Sequence, residues 1–429
     1  MQKKEGSEPS GSGSNKWMYP TVPANLSYGP LATLIPLYIL QLGGGILEVS
    51  YAVTLSSAIS IISIFIWGYV TDLFNKRKAL ILFTYLLATF LVLGFYFIKN
   101  IPEIILLYGA LSFVTSASAT PLNLLVMETS TQNKWTNKFS NLQMMASGGI
   151  TIGLVIASLI TGISTLENLI LILSAFSFIS FILALRLIKE PKRPIPKREP
   201  FTNGINSFIS RLVTVPSLMI RIPHTGNIKN IFRFKGIKGT ERNFLITFYL
   251  ITFVFYLGTS IFSTAYPVSL RMYGLSQSYI FFVILMGMIV QTLVFHYYNY
   301  FAKGSSRRFI AYGSLLLRGA SYLMIGTMFL PVFGVIFNLG NLLFYCLASG
   351  VAYAIYYTIS YAIFFDTITG KTRGSTVGIY GSLAGVGTFG GALLSGALVV
   401  THGYMITFAI AGLLMILCAF LFRVLPRLH

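Results

Sequence analysis

Twelve long stretches almost free of charge, near 26–46, 48–70, 79–98, 103–127, 139–163, 167–188, 243–268, 276–299, 309–330, 333–363, 375–400 and 403–424, narrow what this chain can fold into more than any motif does. A hydrocarbon core of about 30 Å takes roughly 20 apolar residues in helical form. None of the stretches keeps the in/out alternation of a barrel strand. Backbone groups in lipid must pair within their own segment, so each stretch reads as a helix. Only 10% of the residues are charged, against about 25% in soluble domains. The predicted fold class is an all-α membrane protein with twelve transmembrane helices.

The charges that remain are distributed unevenly. With the N-terminus inside, 28 of the 31 Lys and Arg fall in inner segments, while Lys99 and Arg271 fall outside and Arg318 lies within a span. That asymmetry predicts both termini on the cytoplasmic side. It also explains the net charge of +20 by topology and anionic lipid rather than by nucleic acid, which is not an expected partner. The polar start, 1–25, reads as a disordered tail, and it lacks the apolar core of a signal peptide. Cys346 and Cys418 both sit inside spans, so neither a disulfide framework nor a metal site is expected.

One long polar segment, 189–242, divides the spans six and six; it carries twelve Lys/Arg against three Glu. The expected organisation is a six-helix bundle at 26–188, a basic linker at 189–242, a second bundle at 243–424 and a short tail at 425–429. The bundles read as copies. Pro36 precedes Gly43 by seven residues, and Pro267 precedes Gly274 by the same seven. "METSTQNKW" and "FDTITGKTR" align Glu128 with Asp366, and a glycine-rich span follows each. Parallel six-span repeats about an axis along the membrane normal are a transporter architecture.

Between spans two and three stands "GYVTDLFNKRKAL". Gly68, Asp72, Arg77 and Lys78 in this place resemble the signature loop of the major facilitator superfamily, with a degenerate copy between spans eight and nine. The resemblance covers nearly the whole chain. It implies a cytoplasmic latch: Gly68 admits a neighbouring helix, Asp72 accepts from a facing helix N-terminus, and Arg77 pairs with Glu128 at the inner end of span four. The alternative is a loop that only sets topology. Asp366 and Arg373 are the second-half candidates for a similar pair, or else solvated loop charges.

The resemblance further implies that spans one, four, seven and ten line a central cavity. Their polar positions are Tyr38 and Gln41 in span one, Asn123 in span four, Tyr256 in span seven, and Asn338, Asn341, Tyr345 and Tyr356 in span ten, where steps of three and four make one helical face. Hydrogen bonding between helices is the competing explanation for each. Arg318, about 14 Å into span nine at a 1.5 Å rise, is a charge near the middle of the bilayer. It reads three ways: contact with an anion or substrate, structural hydrogen bonding, or snorkelling. Its first-half counterpart is near Ala88.

No carboxylate falls mid-span; span five is glycine-rich but lacks the Gly-Pro step that the resemblance implies for drug/proton antiporters, which weakens a proton-antiport reading without excluding it. The leading expectation is a non-enzymatic secondary active or facilitative transporter in the plasma membrane. It moves a small organic solute by alternating access, with no cofactor, as a monomer, with anionic lipid at the 189–242 loop; a coupling ion stays open. The alternatives are a membrane-embedded enzyme on a lipid-linked substrate and a transporter-like sensor. The four scattered histidines and the lack of a Walker loop give catalysis or ATP-driven pumping little to work with.

Overall fold

A computed structural model describes residues 15–74, 76–130, 135–190, 239–301, 307–330, 336–367 and 373–425. Most of the linker therefore lies outside the described residues, as does the tail up to residue 14. The elements are α1 (Thr21–Tyr28), α2 (Leu31–Gln41), α3 (Ile46–Phe74), α4 (Arg77–Phe97), α5 (Ile101–Ser116), α6 (Ala119–Thr129), α7 (Trp135–Ile163), α8 (Leu166–Leu187), α9 (Gly239–Met272), α10 (Gln277–Phe301), α11 (Arg307–Met328), α12 (Phe337–Tyr345), a π-helical segment (Cys346–Ala352), α13 (Tyr353–Thr367) and α14 (Arg373–Val424). No strand occurs among the described residues.

Ten segments are long and apolar enough to cross a membrane. The last of them, 379–424, covers two expected spans, which part at Gly403 where φ is 77°. Span one is not among the ten because it is broken into α1 and α2 at Gly29 and Pro30. Proline lacks the N–H that would continue the helical ladder. The chain also enters the fold earlier than expected: Asn15–Met18 forms a 3₁₀ turn with Trp17 and Met18 buried, and α1 begins at Thr21 rather than 26. Trp17, Met18 and Ala24, packed with residues of α4, α6 and α8, make this stretch part of the first bundle rather than of the expected tail.

The two halves repeat their packing. Span one packs on span five (α1 on α7) and span three on span six (α4 on α8); α9 and α11 pack on α14 in the same way. The bundles meet through α3 with α14 and α7 with α10, two contacts that a twofold axis would exchange. Equivalent positions do equivalent work. Gly43 and Gly274 end α2 and α9 at φ 88° and 91°. Each is followed by the same closing bond, Gly44 N–H to the Ile39 carbonyl (3.0 Å) and Leu275 N–H to the Leu270 carbonyl (3.1 Å), the cap a left-handed glycine permits. A Cβ on Gly149 or Gly153 would lie 2.4 Å from the Val22 or Leu26 carbonyl oxygen; on Gly387 or Gly391 it would lie 2.7 or 2.3 Å from that of Phe253 or Leu257. Each half thus joins two helices backbone to backbone, as small residues allow in lipid.

Candidate functional site

At the basic end, the turn from α3 to α4 carries a buried network. Arg77 Nη1 donates to the Thr71 carbonyl (2.6 Å), and Nη2 lies 3.4 Å from Glu128 Oε1, the two side chains being 5% and 0% exposed. Arg77 Nε and Glu128 Oε2 have no hydrogen-bond partner. Removing one member of a buried pair costs about 3–5 kcal/mol, whereas the intact pair contributes little net stability. Glu190, just past α8, accepts the N–H groups of Arg77 (2.5 Å) and Lys78 (3.1 Å) and so caps α4, whose N-terminus favours an anion. Sequence reasoning passed over Glu190; its signal was an acid on the same side of the membrane as the signature loop. Lys78 Nζ donates to the Leu185 carbonyl at the end of α8 (2.8 Å), and Arg308 Nη1 to the Leu425 carbonyl at the end of α14 (2.9 Å). The second half therefore keeps this tie between its third and sixth spans.

Gly68 makes no close helix contact: a Cβ there would meet nothing within 4 Å among the described residues. Among the described residues the expected approach of a neighbouring helix is not seen. The side chains of Asp72, Asp366 and Arg373 lie outside the described part of the structure.

The opposite end is joined across the halves. Ser50 Oγ donates to the Ala392 carbonyl (2.5 Å) and accepts the Gly396 N–H (3.3 Å). Ser158 and Ser278 each donate to the other's carbonyl (3.1 and 2.6 Å). Gln277 Nε2 donates to Gln41 Oε1 (3.4 Å), and Gln41 Nε2 donates to Glu167 (3.0 Å). Lys99 donates to the Tyr38 hydroxyl (3.1 Å) and to Glu167 (3.3 Å). The Tyr38 hydrogen bond, ahead of the Glu167 charge, raises the Lys99 pKa. Tyr38 is buried and donates to the Ile98 carbonyl at 3.2 Å. Tyr38 and Gln41 are thus brought together with this far-end cluster.

Span ten does not run as one α-helix. The π-helical segment Cys346–Ala352 inserts between α12 and α13 and breaks the three-and-four spacing expected from Asn338 to Tyr356. Such segments favour functional sites. Asn338 is exposed and its carbonyl accepts the Tyr279 hydroxyl (2.6 Å). Asn341 is fully buried, donates to the Phe337 carbonyl (3.1 Å), and leaves Oδ1 without a partner. Tyr345 stacks on Tyr266 at 4.7 Å, and Tyr356 lies 4.4 Å from Phe255, which also meets Tyr256 edge-on at 5.4 Å. Asn123 is exposed at the surface of α6, apart from these rings.

Arg318 stands within this aromatic interior, eleven positions past the start of α11 and ten before its end. It is 3% exposed, too enclosed and too deep to snorkel. Its Nε donates to the Tyr322 hydroxyl (2.9 Å). Its guanidinium carbon lies 4.9, 5.0 and 5.5 Å from the rings of Phe255, Tyr353 and Tyr322. Three cation–π contacts of about 0.5–2 kcal/mol each can offset the roughly 2.5–3.5 kcal/mol that a mid-membrane Arg costs. Nη1 is buried with no partner. Ser314 and Ser321, on the same helix face, bond only to their own backbone.

The profile of the Major Facilitator Superfamily matches residues 21–337 and 248–428, and the chain belongs to that family of multi-pass membrane transporters. No curated protein matches the sequence. Among solved structures, a mutant of the nucleoside transporter NupG aligns with a TM-score of 0.68 and 13% identity, over 96% of this chain and 99% of its own. A mutant of a peptide transporter, POT, aligns with a TM-score of 0.71 and 13% identity, over 96% and 94%. A POT-family transporter in complex with a thioalcohol-conjugated peptide aligns with 0.70 and 13%, over 95% of each chain. At these identities the likeness is one of fold.

Proposed function

We propose that the protein is a secondary active or facilitative carrier, not an enzyme, that moves a small organic solute by alternating access. Its bundles rock about an axis between them, and this conformation is open toward the basic end. One observation carries the reading. Among the described residues, every hydrogen bond between the halves lies toward the far end: Ser50 with Ala392 and Gly396, Ser158 with Ser278, Gln41 with Gln277. The bonds described at the basic end stay within one half. Glycines follow the same gradient. Gly385 and Gly396 are filled by Ile61 and Ser50 across the interface, whereas Gly68 and Gly381 face open space among the described residues.

In this reading Arg77, Glu128, Lys78 and Glu190 hold the first-half turn ready, and Gly68, Asp72, Asp366 and Arg373 make their contacts when the basic end closes. Tyr256, Tyr345, Tyr356 and Asn341 line or back the solute path; Asn338 and Asn123 stand at its margins. The basic end faces the cytoplasm of a cell whose plasma membrane holds the protein as a monomer, with anionic lipid at the linker. The solved relatives of this fold are named for nucleosides and peptides, so the solute is of that size class.

The test is counterflow in proteoliposomes with labelled nucleosides, dipeptides, sugars, amino acids, organic anions and hydrophobic cations, beside cysteine accessibility at both ends. Counterflow of one solute class is expected. Asp72→Asn should slow it strongly and raise accessibility at the basic end. The absence of any flux together with fixed accessibility at both ends would sink the reading.

A further inference from the structure

We propose that Arg318 is the anion subsite of this carrier: it binds a solute bearing an oxyanion, carboxylate or phosphate, at Nη1, with the carbon skeleton of that solute resting against the half-buried Tyr353. The inference rests on the carrier reading and adds a charge to the solute.

The argument begins with electroneutrality. All eleven Asp and Glu of the chain lie near span ends or in the tail and linker, so no carboxylate shares the depth of Arg318. Buried donors are normally hydrogen-bonded, and one left without an acceptor needs an explanation. Here the rings that surround it can balance charge but accept hydrogen bonds poorly. Among the described residues Nε–H donates to the Tyr322 hydroxyl, while Nη1 is buried and finds no acceptor. The planar fork is the donor arrangement that fits a carboxylate or phosphate, which would supply both the missing acceptor and the missing charge.

Access and origin point the same way. Arg318 itself is enclosed, but Tyr353 in its cage is only half-buried, as are its neighbours Tyr357 and Tyr256. Tyr353 stacks on Tyr357 at 5.5 Å, so the cage wall continues to accessible surface. Tyr353 also directly follows the π-helical segment, which sets the register of that wall. The halves share a scaffold, yet the position matching Arg318 is Ala88, fully buried. The shared architecture therefore stands without a cation there.

The experiment uses the purified full-length protein and measures thermal shift at constant ionic strength with acetate, benzoate, inorganic phosphate, phenyl phosphate and neutral benzamide. At least one oxyanion is expected to raise the melting temperature of the wild type, while benzamide does not. Comparison of the benzoate and phenyl phosphate arms assigns carboxylate or phosphate. The shift should vanish in R318Q. In R318K, which keeps the charge without the fork, the apparent Kd of the effective anion should rise at least tenfold, and this variant decides the matter if R318Q does not fold. Shifts equal in wild type and R318K, or no anion more effective than benzamide, overturn the proposal. Anion binding through Arg318 without counterflow supports the subsite and counts against the carrier reading. Counterflow of neutral solutes alone, unchanged in R318K, supports the carrier and overturns the subsite.

Discussion

The two halves share a frame and differ in what fills it. Pro36 and Pro267, Gly43 and Gly274, the Gly149–Gly153 and Gly387–Gly391 pairs, and the ties from Lys78 and Arg308 occupy matching places. The interiors part company. The first half is joined by hydroxyls, as in Tyr28 to Ser177 to Thr89 and Ser56 to Ser112. The second is built of rings: Tyr345 on Tyr266, Tyr266 on Phe262, Phe262 on Tyr322 at 3.9 Å, and then Arg318. On the offsets of the shared frame, Phe255, Phe262, Tyr266 and Tyr322 fall on Ala24, Leu31, Ile35 and Val92 of the first half. The halves keep backbone approach and capping in common, which both need to fold, while the side chains facing the interior differ. A buried ion pair serves the basic end of one half, and a caged cation occupies the middle of the other.

The comparison breaks most visibly at the glycines. Gly153→Val and Gly391→Val should each abolish stable folded protein, because the new side chain meets a carbonyl at 2.4 or 2.3 Å; yield and monodispersity after extraction check this. A folded Gly391→Val beside a lost Gly153→Val would refute the equivalence of the two contacts. Next in size, Glu128→Gln should cost about 3 kcal/mol by leaving Arg77 buried without its pair. That is read as a fall in melting temperature with slowed counterflow; an unchanged protein would mean that the Thr71 carbonyl alone holds Arg77. Within the second half, Tyr345→Ala should weaken apparent solute affinity about tenfold, the scale of one lost ring contact of about 1.4 kcal/mol, while Leu343→Ala on the exposed face should not. Equal losses would turn Tyr345 into a packing residue. The smallest effect sharpens the symmetry: Gly43→Ala and Gly274→Ala, both at positive φ, should each destabilise by about 1 kcal/mol, and by the same amount within error in thermal unfolding.

Much of the frame was legible because lipid leaves a chain few options. Span length, the charge asymmetry and the Pro–Gly repeat each follow from local residues. The break in span one was also written locally, at Pro30, but lay hidden inside an apolar run. The π-helical segment was not legible: "CLASGVA" has no feature that forbids a plain α-helix, and Gly350 there packs on Val290 of α10, a tertiary contact. Arg318 stood out as a lone charge in oil. Its cage did not, because Phe255, Tyr322 and Tyr353 come from three helices that only the fold brings together. Glu190 escaped for the same reason: its partners are 112 and 113 positions away.

The backbone-to-backbone glycine contacts also divide the molecule mechanically. Where Gly149 and Gly153 meet Val22 and Leu26, and Gly387 and Gly391 meet Phe253 and Leu257, no side chain stands between the helices to deform, so spans one with five and seven with eleven behave as stiff beams. The same two helices, α7 and the first arm of α14, turn their other faces to the opposite half. There the contacts include small hydroxyls and glycines, Ser158 on Ser278 and Gly396 on Ser50, beside Ile61 against Gly385. Spans five and eleven are therefore beam on one side and contact between the halves on the other, and a load applied to either half passes through them first.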